Sequence, residues 1–547
     1  MDATATSAAG TSAPVAPATV TFTIDGRSLT VPKGTTVLAA ALEAGIHIPH
    51  YCYHPKLSID GSCRMCLVHV EKAPKLQISC NTAATDGMVV KTDTPAVLEA
   101  RKGVMELLLV NHPLDCPICD QAGECKLQQF AFDHGRGHGR SEDVRRKAPK
   151  RTEIGPRVLF DQERCILCRR CVRFTAEISE TRELAVLNMG DRSFISTYPG
   201  QPLDNPYSIN TADICPVGAL LSKDFHHKLR VWFLNETPSV CTSCSRGCNV
   251  NVGGYRDRVW RLTPRRNDAV NDTWMCDHGR LNIGFVNDER RAQGAAVRSA
   301  NGELEELAFA LAVRRLSDWV SEVKSTAGAD AVAVIASPQL TNEEAFTLKR
   351  LVREVWGATL LAVPVPMGQG DDFLVRPEKA ANGRGFADLG VASASLDEVL
   401  SACEAGRIKL LYVIGSEALA VAGEARVRAA LARVERVVNH DILASTISDH
   451  ASLVLGGCTW AEKDGTFTNF EGRVQAIRAA IRSPGGNLSE GEVFSSLIAS
   501  HGGPSEVFDA ARVLAAIAAS VPAYAHVNAE SIGTTGVQAG PSERSAA

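Results

Sequence analysis

Fifteen of the seventeen cysteines, joined by one histidine, fall into four successive quartets between residues 52 and 276. They are Cys52/Cys63/Cys66/Cys80, His112/Cys116/Cys119/Cys125, Cys165/Cys168/Cys171/Cys215 and Cys241/Cys244/Cys248/Cys276. Each holds a C-x2-C pair with further donors at loop distance, the spacing by which a chain surrounds a metal ion or iron–sulfur cluster. Disulfides are the rival use of so many cysteines. The N-terminal stretch lacks the basic start and apolar core of an export signal, and it carries Asp2 and no arginine, unlike a transit peptide. Metal binding in a reducing compartment, the cytoplasm, is therefore the expectation. Four such sites in series suit a conductor of electrons better than a pocket for one substrate.

The first quartet, C-x10-C-x2-C-x13-C, lies on one long loop in which Gly61 allows backbone to approach sulfur. A [2Fe–2S] centre is expected, with structural zinc the alternative. The second, H-x3-C-x2-C-x5-C, opens on His112. A lone histidine is ordinarily a surface or core residue, but three cysteines at ligand spacing need a fourth donor. A neutral imidazole there makes a [4Fe–4S] cluster less negative, and zinc held by three thiolates and one imidazole is the rival. The third, C-x2-C-x2-C closed after 43 residues by Cys215-Pro216, is a ferredoxin run with its last cysteine displaced. No second such run lies nearby, so Cys215 should close its own [4Fe–4S] site. The fourth, C-x2-C-x3-C-x27-C, could be zinc on spacing alone; three preceding cluster sites and Gly247, Gly253 and Gly254 favour a third [4Fe–4S] cluster.

The elements that must carry these loops are partly legible. Thr19–Ile24 and 27–31 alternate like two strands joined at Asp25-Gly26, and 36–44 reads as a short helix ended by Gly45. Hairpin, helix and cysteine-bearing loop in that order predict a ferredoxin-like β-grasp. Residues 95–110 show helical spacing at Val97, Ala100, Val104 and Leu108 and deliver the chain to His112. Residues 134–151 carry seven Arg or Lys against two acids, a solvated loop or a subunit interface. After about residue 293, apolar runs at 331–336, 360–363, 410–414 and 452–455 alternate with helical patterns at 342–355 and 426–434, which predicts a parallel α/β sheet.

The expected organisation is multidomain α+β and α/β. A disordered tail (1–18) precedes the β-grasp domain (19–100), the segment of the histidine-bearing quartet (101–160), a ferredoxin-like [4Fe–4S] segment (161–236) and the fourth cluster domain (237–292). An α/β domain (293–525) and a second disordered tail (526–547) follow. The formal net charge of −4 favours no nucleic acid, and no apolar run is long enough to cross a bilayer. No P-loop, G-x-G-x-x-G or nucleophile motif is present, so neither a dinucleotide-binding site nor a catalytic residue is assigned to this chain.

Taken with Ile48-Pro49-His50-Tyr51-Cys52, the 112–119 segment, Arg170-Cys171-Val172-Arg173-Phe174 and the segment 213–220, the ordered set of sites resembles one family. It is that of the large iron–sulfur subunit, the G subunit, of bacterial proton-translocating NADH:quinone oxidoreductase (respiratory complex I). The resemblance implies a relay. Electrons from NADH would enter through a partner subunit that binds NADH and FMN, and leave toward clusters near quinone in other peripheral-arm subunits. The fourth cluster would lie off the main path. It also implies a peripheral position on the cytoplasmic side of the inner membrane, with the membrane reached only through the complex. The stretch 462–473 resembles a signature of the molybdopterin oxidoreductase superfamily. The region after the third quartet is short for that superfamily's cofactor domains, and no cysteine lies between Cys276 and Cys403, so a truncated domain without molybdopterin is expected. Cys403 and Cys458 read as buried structural thiols. The alternatives are the catalytic subunit of an NAD-dependent formate dehydrogenase and a diaphorase-type hydrogenase subunit; a zinc-stabilised scaffold is a third class.

Overall fold

The structure is a computed structural model that describes residues 18–540, and it divides into two compact units, Met1–His226 and His227–Ala547. In the first unit, Thr19–Ile24 pairs antiparallel with Arg27–Pro32. Asp25 and Gly26 at the turn both adopt positive φ (49° and 80°), the twist that matches a two-residue hairpin. Alternation buries Phe22, Ile24 and Val31 against helix Val37–Glu43. Thr36 Oγ1 caps that helix by accepting from the Ala39 N–H at 3.3 Å, and Gly45 (φ 72°) ends it. The sheet runs Arg27–Pro32, Thr19–Ile24, Val89–Lys91, Leu67–Val70, Gln77–Ile78, with Val89–Lys91 parallel to the first strand. This is the expected β-grasp.

Helix Pro95–Leu109 starts at a Thr94 cap and leads to His112. Its buried stripe is Val97, Arg101 and Met105 rather than the apolar spacing read from the sequence. Arg101 is drawn in because its guanidinium donates to Leu67 O at 3.1 Å while its stem packs.

The second unit begins with an antiparallel sheet of Asn235–Val240, Asn249–Tyr255 and Arg258–Pro264. A seven-stranded sheet follows, ordered Leu304–Leu307, Ala295–Arg298, Leu453–Gly456, Arg436–Asp441, Leu410–Ile414, Val332–Ile335, Leu360–Ala362. Its last five strands are parallel, with apolar clusters on both faces, as in an α/β domain. Strand Arg436–Asp441 is one the apolar runs did not reveal, because Val437 and Val438 give way to buried Asn439, His440 and Asp441. The helix expected over 342–355 opens with a Thr341/Glu344 capping box and passes into a π-helical stretch, Arg350–Trp356.

The disordered tail expected from 526 is corrected over 526–540. Helix Ala529–Ile532 is capped by Asn528, Val537–Gln538 pairs with Arg473–Ile477, and Val527 and Ile532 are buried. The Gly, Ser and Thr content there encodes a cap and turns at Gly533 and Gly536 rather than a solvated coil. The N-terminal tail expected at 1–18 lies, but for Ala18, outside the described residues, as does 541–547. Among the described residues no helix is long and apolar enough to cross a membrane.

Candidate metal centres

In the first quartet Cys52, Cys66 and Cys80 are buried and Cys63 is half-buried. Their thiols converge: hydrogen bonds from Cys63 and Cys80 drive Cys52 down, and the same contacts drive those two up. The bond with Cys80 holds Cys66 at about 7. Gly61 (φ 65°) and Arg64 (φ 59°) adopt left-handed backbone around Cys63, a conformation that costs energy at Arg64 and curls the loop about its sulfurs.

The third quartet lines one small cavity together with Phe160, Ile195 and Val217. Cys215 reaches it across an interval of 43 residues, so the displaced cysteine lines the same cavity as the run that precedes it. Leu167 and Arg169 (φ 52° and 57°) turn the loop inward, and the Leu167 N–H donates to Cys165 Sγ at 3.4 Å. Burial pushes Cys165 up to about 12 and Cys168 up to about 11. Buried thiolates are therefore costly unless a positive charge such as iron compensates them.

The second quartet is more open: Cys119 is buried, Cys125 is half-buried and Cys116 is exposed. Cys119 and Cys125 each sense the charge of Cys116. His112 is held at about 4 by burial and by Arg164, so its ring is neutral at physiological pH and a nitrogen lone pair can serve a metal. The charge of Arg164 acts on both His112 and Cys119. Burial pulls this guanidinium down, but Cys119 and Asp161 beside it raise it overall. It also donates to Asp115 at 3.0 Å.

The fourth quartet is buried throughout. Burial and Cys276 push Cys241 up to about 12, and Cys276 itself is pushed up to about 11 by burial. Gly247 (φ 64°) turns the loop before Cys248. Gly253 and Gly254, expected to serve this loop, instead sit at a bulge of strand Asn249–Tyr255, where a Cβ on Gly254 would lie 2.9 Å from Ala480 O.

Two glycines are demanded by sulfur. A Cβ on Gly279 would lie 3.0 Å from Cys241 Sγ and 3.3 Å from Cys276 Sγ, and one on Gly218 would overlap Cys119 Sγ. Three buried arginines were not singled out as site residues by spacing. Besides Arg164, they are Arg170 and Arg173. Arg173 Nη2 donates both to Cys52 O at 2.6 Å and to Cys168 O at 3.2 Å, setting the first and third loops side by side. Arg170 donates to Tyr53 O and, at 3.0 Å, to Ile214 O. The second and third loops meet where the Lys126 N–H donates to Pro216 O at 3.1 Å. An arginine just before or inside a cysteine run, in a position to turn back under the cluster, was the available signal.

Part of the basic stretch 134–151 folds back on its own chain. Arg136 and Arg140 pair with Glu106, and Lys150 pairs with Glu163 at 2.9 Å. Cys403 is buried in the α/β core, and Cys458 is buried on the wall of a cavity in the second unit.

Five family models match successive stretches of the chain. Residues 17–95 match a 2Fe-2S iron-sulfur cluster binding domain, and 101–140 match the NADH-ubiquinone oxidoreductase-G iron-sulfur binding region. Residues 155–221 match the ferredoxin-like domain of NADH-quinone oxidoreductase subunit 3. Residues 234–288 match the molybdopterin oxidoreductase Fe4S4 domain, and 366–499 match molybdopterin oxidoreductase. The chain is 40% identical over 336 residues to the NADH-quinone oxidoreductase G subunit of Rickettsia felis, covering 61% of this chain and 49% of that protein. It is 40% identical over 353 residues to the protein of the same name from Streptomyces coelicolor (64% and 41%). The mitochondrial NADH-ubiquinone oxidoreductase 78 kDa subunit of Neurospora crassa is 39% identical over 363 residues (64% and 47%). The chain thus spans about half the length of the curated relatives it matches. A solved chain of an NAD+-reducing [NiFe]-hydrogenase is 33% identical over 39% of this chain and 92% of its own, with a TM-score of 0.36.

Proposed function

The chain belongs to the family of the NADH-quinone oxidoreductase G subunit, and from that premise we propose that it is the electron-transfer subunit of such an oxidoreductase. The observation that carries this reading is that three donor quartets lie in one unit, the third lining one small cavity and the first tied to it through Arg173. Cys52, Cys63, Cys66 and Cys80 hold a [2Fe–2S] cluster. His112 with Cys116, Cys119 and Cys125, Cys165 with Cys168, Cys171 and Cys215, and Cys241 with Cys244, Cys248 and Cys276 each hold a [4Fe–4S] cluster. The donor sets fit: thiol-rich, largely buried, and with Gly218 and Gly279 leaving room at the sulfurs.

Bound clusters supply one-electron carriers, whose potentials follow ligand identity, hydrogen bonds to sulfur and exposure. The chain's own residues set those terms. Arg173 and Arg170 lock the first loop to the third, while Arg164 and the Lys126–Pro216 hydrogen bond lock the third to the second. The first loop also meets the second, where Tyr51 packs against Phe130 with ring centroids 5.3 Å apart, so all three loops of the unit touch one another. His112 is kept neutral by burial, which suits an uncharged donor at the second site.

The partners on this reading are the subunit that binds NADH and FMN and the peripheral-arm subunits that lead to quinone. The complex is placed on the cytoplasmic side of the bacterial inner membrane. Iron, sulfide and molybdenum analysis of anaerobically purified protein tests the reading. About 14 iron atoms per chain and no molybdenum are expected. Stoichiometric molybdenum would instead favour a formate dehydrogenase, and stoichiometric zinc in a colourless protein would overturn the relay.

A further inference from the structure

A cavity of about 570 Å³ opens in the second unit at the carboxyl ends of strands Val332–Ile335, Leu410–Ile414 and Arg436–Asp441. The chain leaves Val332–Ile335 for Leu360–Ala362 on one side and returns to Leu410–Ile414 on the other, so the cavity lies where the sheet order reverses. Open α/β sheets bind ligands at such a switch point.

The polar atoms facing it are the second observation. Glu417 Oε2, Asp441 Oδ2, Gln339 Oε1, His440 Nε2 and Trp460 Nε1 are buried, and none has a hydrogen-bond partner in the protein. Each group is nonetheless held in place by its other atoms or by burial. Glu417 Oε1 accepts from the Ser337 hydroxyl at 2.5 Å, Asp441 Oδ1 accepts from the Ile442 N–H at 2.7 Å, and Gln339 Nε2 donates to Thr242 O at 3.3 Å. His440, 1% exposed, shares a 2.9 Å hydrogen bond with the Tyr412 hydroxyl. Buried polar groups are ordinarily satisfied, and a set of orphans around one cavity marks a place that a ligand completes.

The charge balance selects the ligand. The two lysines on the walls are already engaged. Lys463 Nζ donates to Glu344 at 2.9 Å and Glu490 at 2.7 Å, and Lys379 Nζ is turned to the backbone carbonyls of Gln369 and Arg376. Of the unpaired atoms on the wall, the carboxylate oxygens Glu417 Oε2 and Asp441 Oδ2 and the amide Gln339 Oε1 accept, Trp460 Nε1 donates, and His440 Nε2 and the Thr459 hydroxyl can do either, so the charged groups left without a cation are the two carboxylates. The phosphate of a molybdopterin, implied by the superfamily likeness of 366–499, does not fit this donor set.

We propose that the cavity binds a small planar amidinium or 2-amino-heterocyclic cation without phosphate, with Glu417, Asp441 and Gln339 accepting its N–H groups. The cavity wall includes Thr242, Ser243 and His278 beside the fourth quartet, but the proposal does not depend on electron relay through the first unit. Cluster-loaded full-length protein, titrated with benzamidine and with 2,4-diaminopyrimidine by calorimetry and saturation-transfer NMR, tests it; benzoate and inorganic pyrophosphate serve as anionic probes. At least one cation should bind saturably and both anions should not. Glu417→Gln and Asp441→Asn should each weaken binding tenfold or more. Gln339→Leu, which leaves the charge intact, should weaken it severalfold and stands in if either carboxylate variant fails to fold. No saturable cation binding, binding indifferent to these substitutions, or pyrophosphate binding as tightly as the cations would overturn the proposal.

Discussion

A neutral imidazole brings no charge to a cluster, whereas a thiolate brings one negative charge, so His112 should raise the potential of the second cluster. His112→Cys is expected to keep the cluster and lower its midpoint on the order of 100 mV in an EPR-monitored redox titration. An unchanged midpoint would show that His112 is not a ligand. Glu343 offers a residue-scale test of the second unit. It is fully buried, accepts from the Thr466 N–H at 2.8 Å, and is pushed up to about 7 by burial. Its folded pKa lies above the unfolded value, so its contribution is fully present below about pH 4.5 and is lost as pH rises through about 7. Glu343→Gln should therefore gain stability relative to the parent between about pH 5 and about pH 8, by up to about 3 kcal/mol. Paired thermal melts at the two pH values check this; a difference that does not change with pH contradicts it.

At the scale of elements, the arginine clamps and the sulfur-facing glycines carry the account. Arg173→Ala removes charged hydrogen bonds to the carbonyls of Cys52, Ser58 and Cys168, each worth about 1.5–3 kcal/mol. Heating should then bleach the visible cluster absorbance at a lower temperature. Arg173→Lys should not restore it, because one ammonium cannot span the fork of carbonyls. Gly218→Ala places a methyl against Cys119 Sγ and should abolish the second cluster's EPR signal while sparing the first. The cysteine loops, the hairpin at Asp25-Gly26 and four of the parallel strands were legible because their signals are local: ligand spacing, a turn pair, apolar runs. The clamps were not, since Arg173 meets Cys52 across 121 residues and no local pattern encodes that meeting. Strand Arg436–Asp441 was hidden by the polar residues that face the cavity. The stretch 526–540 was hidden because cap and turn residues have the composition of a disordered tail.

Over the whole molecule, the two units divide the chemistry. The first gathers three donor quartets around shared guanidinium groups; the second holds the fourth quartet and a cavity at the switch point of an α/β sheet. The cation proposed for that cavity carries no phosphate, although residues 366–499 match molybdopterin oxidoreductase. The clusters proposed for the first unit would form one connected path. Arg173 bridges the first and third loops, so those two clusters should be magnetically coupled. The direct measurement is pulsed EPR of the [2Fe–2S] signal in cluster-loaded protein, poised with the third cluster either oxidised or reduced. Reducing the third cluster should sharply accelerate [2Fe–2S] spin relaxation. Relaxation indifferent to the state of the third cluster would contradict it.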